Sequence, residues 1–181
     1  MRIAETCSAR RLTRGLVLAA LALATASSAA PAPAPPRAAG PQEAQVVAVV
    51  LDPRTSTPAV VLQGKRDGRR LAMSIGPAEA TGIAVPLQGV TPPRPLTHDL
   101  FLTMFGRLNV AVDRVVIHDL RDNIYYATVY LKADGGPMEL DARPSDAIAL
   151  AVRAKAPVLV EDRVFDKSGG DGTDPPARSH I

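Results

Sequence analysis

Two short stretches carry the side chains best suited to chemistry: Arg94-Pro-Leu-Thr-His98-Asp99 and Asp141-Ala-Arg143-Pro-Ser145-Asp146. The second places two carboxylates, a guanidinium and a hydroxyl around one strand-to-helix junction. Carboxylates there can hold a divalent cation, Arg143 can hold a phosphate, and free N–H groups at a helix start favour anions. In the first, His98 sits beside Asp99 and near Arg94, with the types of a general base or metal ligand and a phosphate-binding partner. A structural reading stands beside each. Glu79 and Asp146 both follow a proline by two residues, as first-turn carboxylates that cap a helix do. A single histidine in a first helical turn is commonly a surface or capping residue, His118 lies in an apolar β-type run, and His180 falls near the chain end. The chain has no Cys-x-x-Cys, glycine-rich phosphate loop, G-x-S-x-G or His-Glu-x-x-His motif.

The elements that must position these residues repeat. Residues 77–85 align with residues 144–152 without a gap, at an offset that also carries 46–52 onto 113–119, 58–64 onto 125–131 and 71–75 onto 138–142. Each half reads as three strands and a proline-opened helix, with turn signals at Arg66-Asp-Gly68, Arg121-Asp-Asn123 and Ala133-Asp-Gly-Gly136 between the runs. Residues 97–108 join the halves as an amphipathic helix with Thr97 as its N-cap, and a strand at 157–161 closes the domain. The predicted fold class is α+β, an internal duplication of two β-β-β-α units related by a pseudo-twofold and joined by that helix.

Around this core the composition shifts. Residues 1–29 run from Arg10, Arg11 and Arg14 through a short apolar stretch to small residues, the order of a secretory signal peptide, so the mature chain begins at Ser27 or Ala30. The chain is therefore expected to be exported, periplasmic or extracellular, and without a membrane span once mature. Residues 30–42 are a Pro/Ala-rich linker, 43–166 the folded domain and 167–181 a polar, disordered tail. Of 181 residues, 21 are basic and 18 acidic; removing Arg2, Arg10, Arg11, Arg14 and Glu5 with the leader leaves 17 of each. A balanced mature chain excludes nucleic-acid binding through a global positive field and requires a local site. Aromatic content of 3% likewise excludes an extended base-stacking platform. Cys7 precedes the apolar run and leaves with the leader.

Read together, Pro93-Arg-Pro-Leu-Thr-His-Asp-Leu100 and Leu140-Asp-Ala-Arg-Pro-Ser-Asp-Ala-Ile-Ala-Leu-Ala151, preceded by Ile75-Gly-Pro-Ala-Glu-Ala80, resemble the bifunctional nuclease domain family across about residues 45–165. The resemblance implies an α+β fold, a homodimer and nuclease activity on RNA and DNA. It carries over Glu79, Arg94, His98, Asp99, Asp141, Arg143, Ser145 and Asp146 as matched positions. The expected arrangement is a metal-assisted phosphodiesterase on DNA or RNA. In it Glu79, Asp141 and Asp146 hold Mg²⁺ or Mn²⁺, Arg94, Arg143 and Ser145 bind substrate, and His98, Asp99 and Asp146 are catalytic. The alternative is a non-catalytic binding or scaffold domain of the cell envelope.

Overall fold

The computed structural model describes residues 40–53 and 55–169. The expected signal peptide, nearly all of the linker and most of the tail lie outside these residues. Three strands, β1 (Gln42–Leu51), β2 (Pro58–Gly64) and β3 (Arg70–Ser74), lead into helix α1 (Pro77–Leu87). Helix α2 (Thr97–Arg107) connects to β4 (Ala111–Arg121), β5 (Ile124–Ala133), β6 (Gly136–Ala142) and helix α3 (Pro144–Ala154). A short strand β7 (Val158–Val160) and a helix α4 (Asp162–Lys167) follow. The fold is thus mixed α and β, with four helices on one seven-stranded sheet of order β3-β2-β1-β7-β4-β5-β6. β7 runs antiparallel to β1 and parallel to β4; every other pairing is antiparallel.

Local sequence explains the elements. β2 is almost all β-branched or small and apolar, and its alternate side chains serve two faces: Val60 and Leu62 enter the main core, whereas Ala59 and Val61 join Val50 in a smaller cluster. The β4–β5 hairpin turns on Asp122 and Asn123, both left-handed at φ 49° and 61°, a conformation these two side chains tolerate and a two-residue hairpin requires. α1 and α3 each begin with proline at a first-turn position, where the missing N–H costs nothing. α3 then buries Ala147, Ile148, Ala149, Leu150 and Ala151 against the sheet. Removing a comparable core side chain, such as Phe165, which is fully buried, costs about 3–5 kcal/mol.

Two expectations are corrected. Thr97 is not the N-cap of α2; Leu96 is, with extended backbone, and the turn closes because the Asp99 carboxylate accepts the Leu96 N–H at 2.8 Å. The chain also does not close on a strand. After β7 it forms α4, which inserts Val164 and Phe165 into the main core. Arg69 ties α4 to the β2–β3 turn, with ion pairs to Asp67 at 2.7 Å, to Asp166 at 2.8 Å and to Asp162, and its guanidinium lies over Phe165. Among the described residues no helix is long and apolar enough to cross a membrane.

Candidate functional site

The starts of α1 and α3 meet the first turn of α2 at one end of an open cleft of about 950 Å³. Its polar end is lined by Glu79, His98, Asp141, Arg143 and Asp146, and its apolar wall by Leu100, Phe101, Phe105 and Leu140 among others. Phe101 and Phe105 stack edge to face at 6.3 Å, which fixes the aromatic part of that wall.

Four of the expected side chains form a continuous chain of contacts. Arg143, the N-cap residue of α3, donates from Nε to Asp146 Oδ2 at 2.6 Å and pairs through Nη2 with Glu79 Oε1 at 2.9 Å. The other Asp146 oxygen lies 3.2 Å from His98 Nε2. Neither Glu79 nor Asp146 is spent on capping its own helix; each turns to Arg143. Burial pushes the Asp146 carboxyl up, but hydrogen bonds from Arg143 and His98 outweigh it and hold its pKa below the ordinary 3.8. The hydrogen bond to Asp146 and the charges around it raise the pKa of Arg143 further. Arg143 is nevertheless two-thirds exposed, so its guanidinium is held from one side and open on the other.

The remaining expected residues are placed differently. Asp99 faces away from this chain of contacts. Besides closing the first turn of α2, it accepts from Arg153 Nε at 2.7 Å, and these hydrogen bonds outweigh burial in lowering its pKa. Ser145 is buried in the first turn of α3 and does not line the cleft. Asp141 lines the cleft from the exposed strand β6, outside the Glu79–Arg143–Asp146–His98 contacts. Arg94 is exposed on the loop before α2 and is not part of the lining. His118 lies in β4, where its carbonyl accepts from Arg163.

Among the described residues no three His, Cys, Asp or Glu side chains stand where they could share a metal ion. Two of the three carboxylates expected as ligands are engaged by Arg143 instead.

Two residues that sequence reasoning passed over build the mount for His98. Gly82, buried inside α1, lets the imidazole lie against the helix backbone: a Cβ there would stand 3.0 Å from His98 Cε1 and 3.1 Å from Nδ1. Arg153, only 6% exposed, gathers three helices by donating to Asp99 on α2, to the Gly82 carbonyl on α1 and to the Ala149 carbonyl at 3.1 Å on α3. A glycine in a helix interior costs about 1 kcal/mol against alanine, so its presence there signals a close approach. The lone guanidinium near the end of an apolar helix was the matching signal for Arg153.

A family model described as the bifunctional nuclease domain matches residues 60–171. A Mycobacterium tuberculosis (strain H37Rv) protein described only as uncharacterized is 35% identical over 127 residues, which cover 70% of this chain and 76% of that one. Bifunctional nuclease 1 of Oryza sativa subsp. japonica is 34% identical over 140 residues, 73% of this chain but 42% of its own length.

Proposed function

The chain belongs to the bifunctional nuclease domain family, and from that membership we propose that its cleft binds and cleaves phosphodiester bonds of DNA or RNA. The observation that supports this reading most is Arg143. Two carboxylates fix its Nε and Nη2, and the exposed remainder of the guanidinium faces an open cleft, the arrangement of a preorganised phosphate anchor. Asp146 is the hub, holding Arg143 with one oxygen and His98 Nε2 with the other, so that a proton at that nitrogen sits beside the anchored phosphate. The apolar wall of Leu100, Phe101 and Leu140 receives the sugar and base. In this reading Asp99 holds α2 in place and does not meet substrate.

The test is cleavage of single- and double-stranded DNA and RNA by the purified protein, with Mg²⁺, Mn²⁺ or EDTA. The expected result is activity that follows the protein through purification and falls about a hundredfold in Asp146→Asn with the fold intact. Clean protein that cleaves nothing points to the other reading, a non-catalytic binding or scaffold domain of the cell envelope. That reading draws support from the charge of the lining, where Glu79, Asp141 and Asp146 outnumber Arg143.

Three further parts of the proposal concern the whole chain. Export to the periplasm or outside the cell rests on the leader-like residues 1–29. Duplication of a β-β-β-α unit draws support from α1 and α3, which begin and end at the same offset, and is tested by superposing residues 46–85 on 113–152. A homodimer draws support from three exposed apolar side chains, Met104 of α2, Leu108 just after that helix and Met138 of β6, each more than half exposed. Sedimentation equilibrium decides it.

A further inference from the structure

Carboxylates in a phosphodiester site commonly serve to bind a divalent ion, which neutralises the phosphate. Here two carboxylates of the cleft lining, Glu79 and Asp146, already face a cation that belongs to the chain. Arg143 Nε is 2.6 Å from Asp146 Oδ2, and Nη2 is 2.9 Å from Glu79 Oε1. An ion bridging those two oxygens would bind each at about 2.0–2.6 Å, and so would stand in the gap that the guanidinium fills. The two cations are alternatives at this position.

Other features favour the guanidinium. The second Asp146 oxygen is held at 3.2 Å from His98, so an incoming ion would have to break that contact or share a single oxygen. Asp141, the third carboxylate of the lining, stands apart on β6. A guanidinium is permanently charged and planar and offers paired N–H groups that match a phosphate. With the Arg143 side chain 66% exposed, its partners orient it without covering it. Resting on the reading of this cleft as a phosphodiester site, we infer that Arg143 is the site's cation and that phosphate is bound here without a divalent metal ion.

The experiment uses the intact protein and two probes. Inorganic phosphate is titrated in the presence of EDTA and followed by backbone amide shifts around Glu79, Arg143 and Asp146; Mn²⁺ is titrated alone and followed by its paramagnetic resonance signal. The expected results are saturable phosphate binding in EDTA and a Mn²⁺ signal of the free ion. Affinity for phosphate should fall about tenfold or more in Arg143→Gln and less in Arg143→Lys, which keeps the charge and loses the fork. The thermal midpoints of both variants report folding. The inference is overturned by absence of phosphate binding in EDTA, whether or not Mn²⁺ restores it, by undiminished affinity in folded Arg143→Gln, or by stoichiometric Mn²⁺ binding that Asp146→Asn abolishes. Phosphate binding in EDTA without nucleic-acid cleavage under any condition counts against the nuclease reading and leaves this inference standing.

Discussion

Replacing Arg153 by methionine removes the tie between three helices while keeping most of the side-chain volume. The guanidinium is 6% exposed and donates to Asp99 and to the carbonyls of Gly82 and Ala149, so all three acceptors lose a charged donor at once. Breaking a fully buried ion pair costs about 3–5 kcal/mol. Asp99 is one-third exposed and keeps its hydrogen bond from Leu96, so water recovers part of that cost and about 2–4 kcal/mol is expected. For a domain of this size that lowers the thermal midpoint by roughly 10 °C. Urea unfolding of wild type, Arg153→Met, Asp99→Asn and the double variant gives both the loss and the pairwise coupling, expected at about 1 kcal/mol or more. A loss below about 1 kcal/mol for Arg153→Met, or single effects that simply add, would falsify the view that Arg153 holds α2 to α1 and α3.

Gly82→Ala should displace the His98 ring by a few tenths of an ångström and stretch its contact with Asp146, lowering cleavage about tenfold with little change in thermal midpoint. Unaltered cleavage in a folded variant would remove the close packing from the argument. Because the Asp146 pKa is held below its usual 3.8, the stability it contributes is present above that value and is lost as pH falls through the lowered one. Asp146→Asn should therefore unfold less steeply than wild type in acid titrations below about pH 4, and parallel curves would contradict this. Protein isolated from its native host should begin at Ser27 or Ala30; recovery of Met1 by N-terminal sequencing would refute export with cleavage.

Local chemistry was legible in the sequence, and distance was not. Pro77 and Pro144 mark helix starts because a first-turn position loses nothing by a missing N–H, and Asp122-Asn123 marks a hairpin because both residues accept positive φ. The pairing of Arg143 with Asp146 spans three residues and follows from helix geometry. The contact of His98 with Asp146 spans 48 residues and that of Arg153 with Asp99 spans 54, and neither periodicity nor composition encodes which helix starts come together. That is why Asp99 reads as a catalytic neighbour of His98 in the sequence and proves to point the other way. α4 escaped notice for a related reason: Asp162-Arg-Val-Phe-Asp-Lys167 is polar except for Val164 and Phe165, and a helix this short owes its existence to the core those two side chains enter.

The place of β7 sets a constraint on the order of events during folding. This three-residue strand sits at the centre of the sheet, between β1 and β4, yet among the described residues it is the last strand in the chain. Until residue 160 is available, β3-β2-β1 and β4-β5-β6 are two separate meanders, each with an unpaired inner edge of hydrogen-bonding groups. The sheet is therefore completed only once β7 is in place, and the two inner edges are open to pairing with other chains for as long as it is missing. A nascent chain stalled anywhere before Pro157 leaves unpaired the stretches Gln42–Ala44 of β1 and Val115–Ile117 of β4 that β7 joins in the finished sheet.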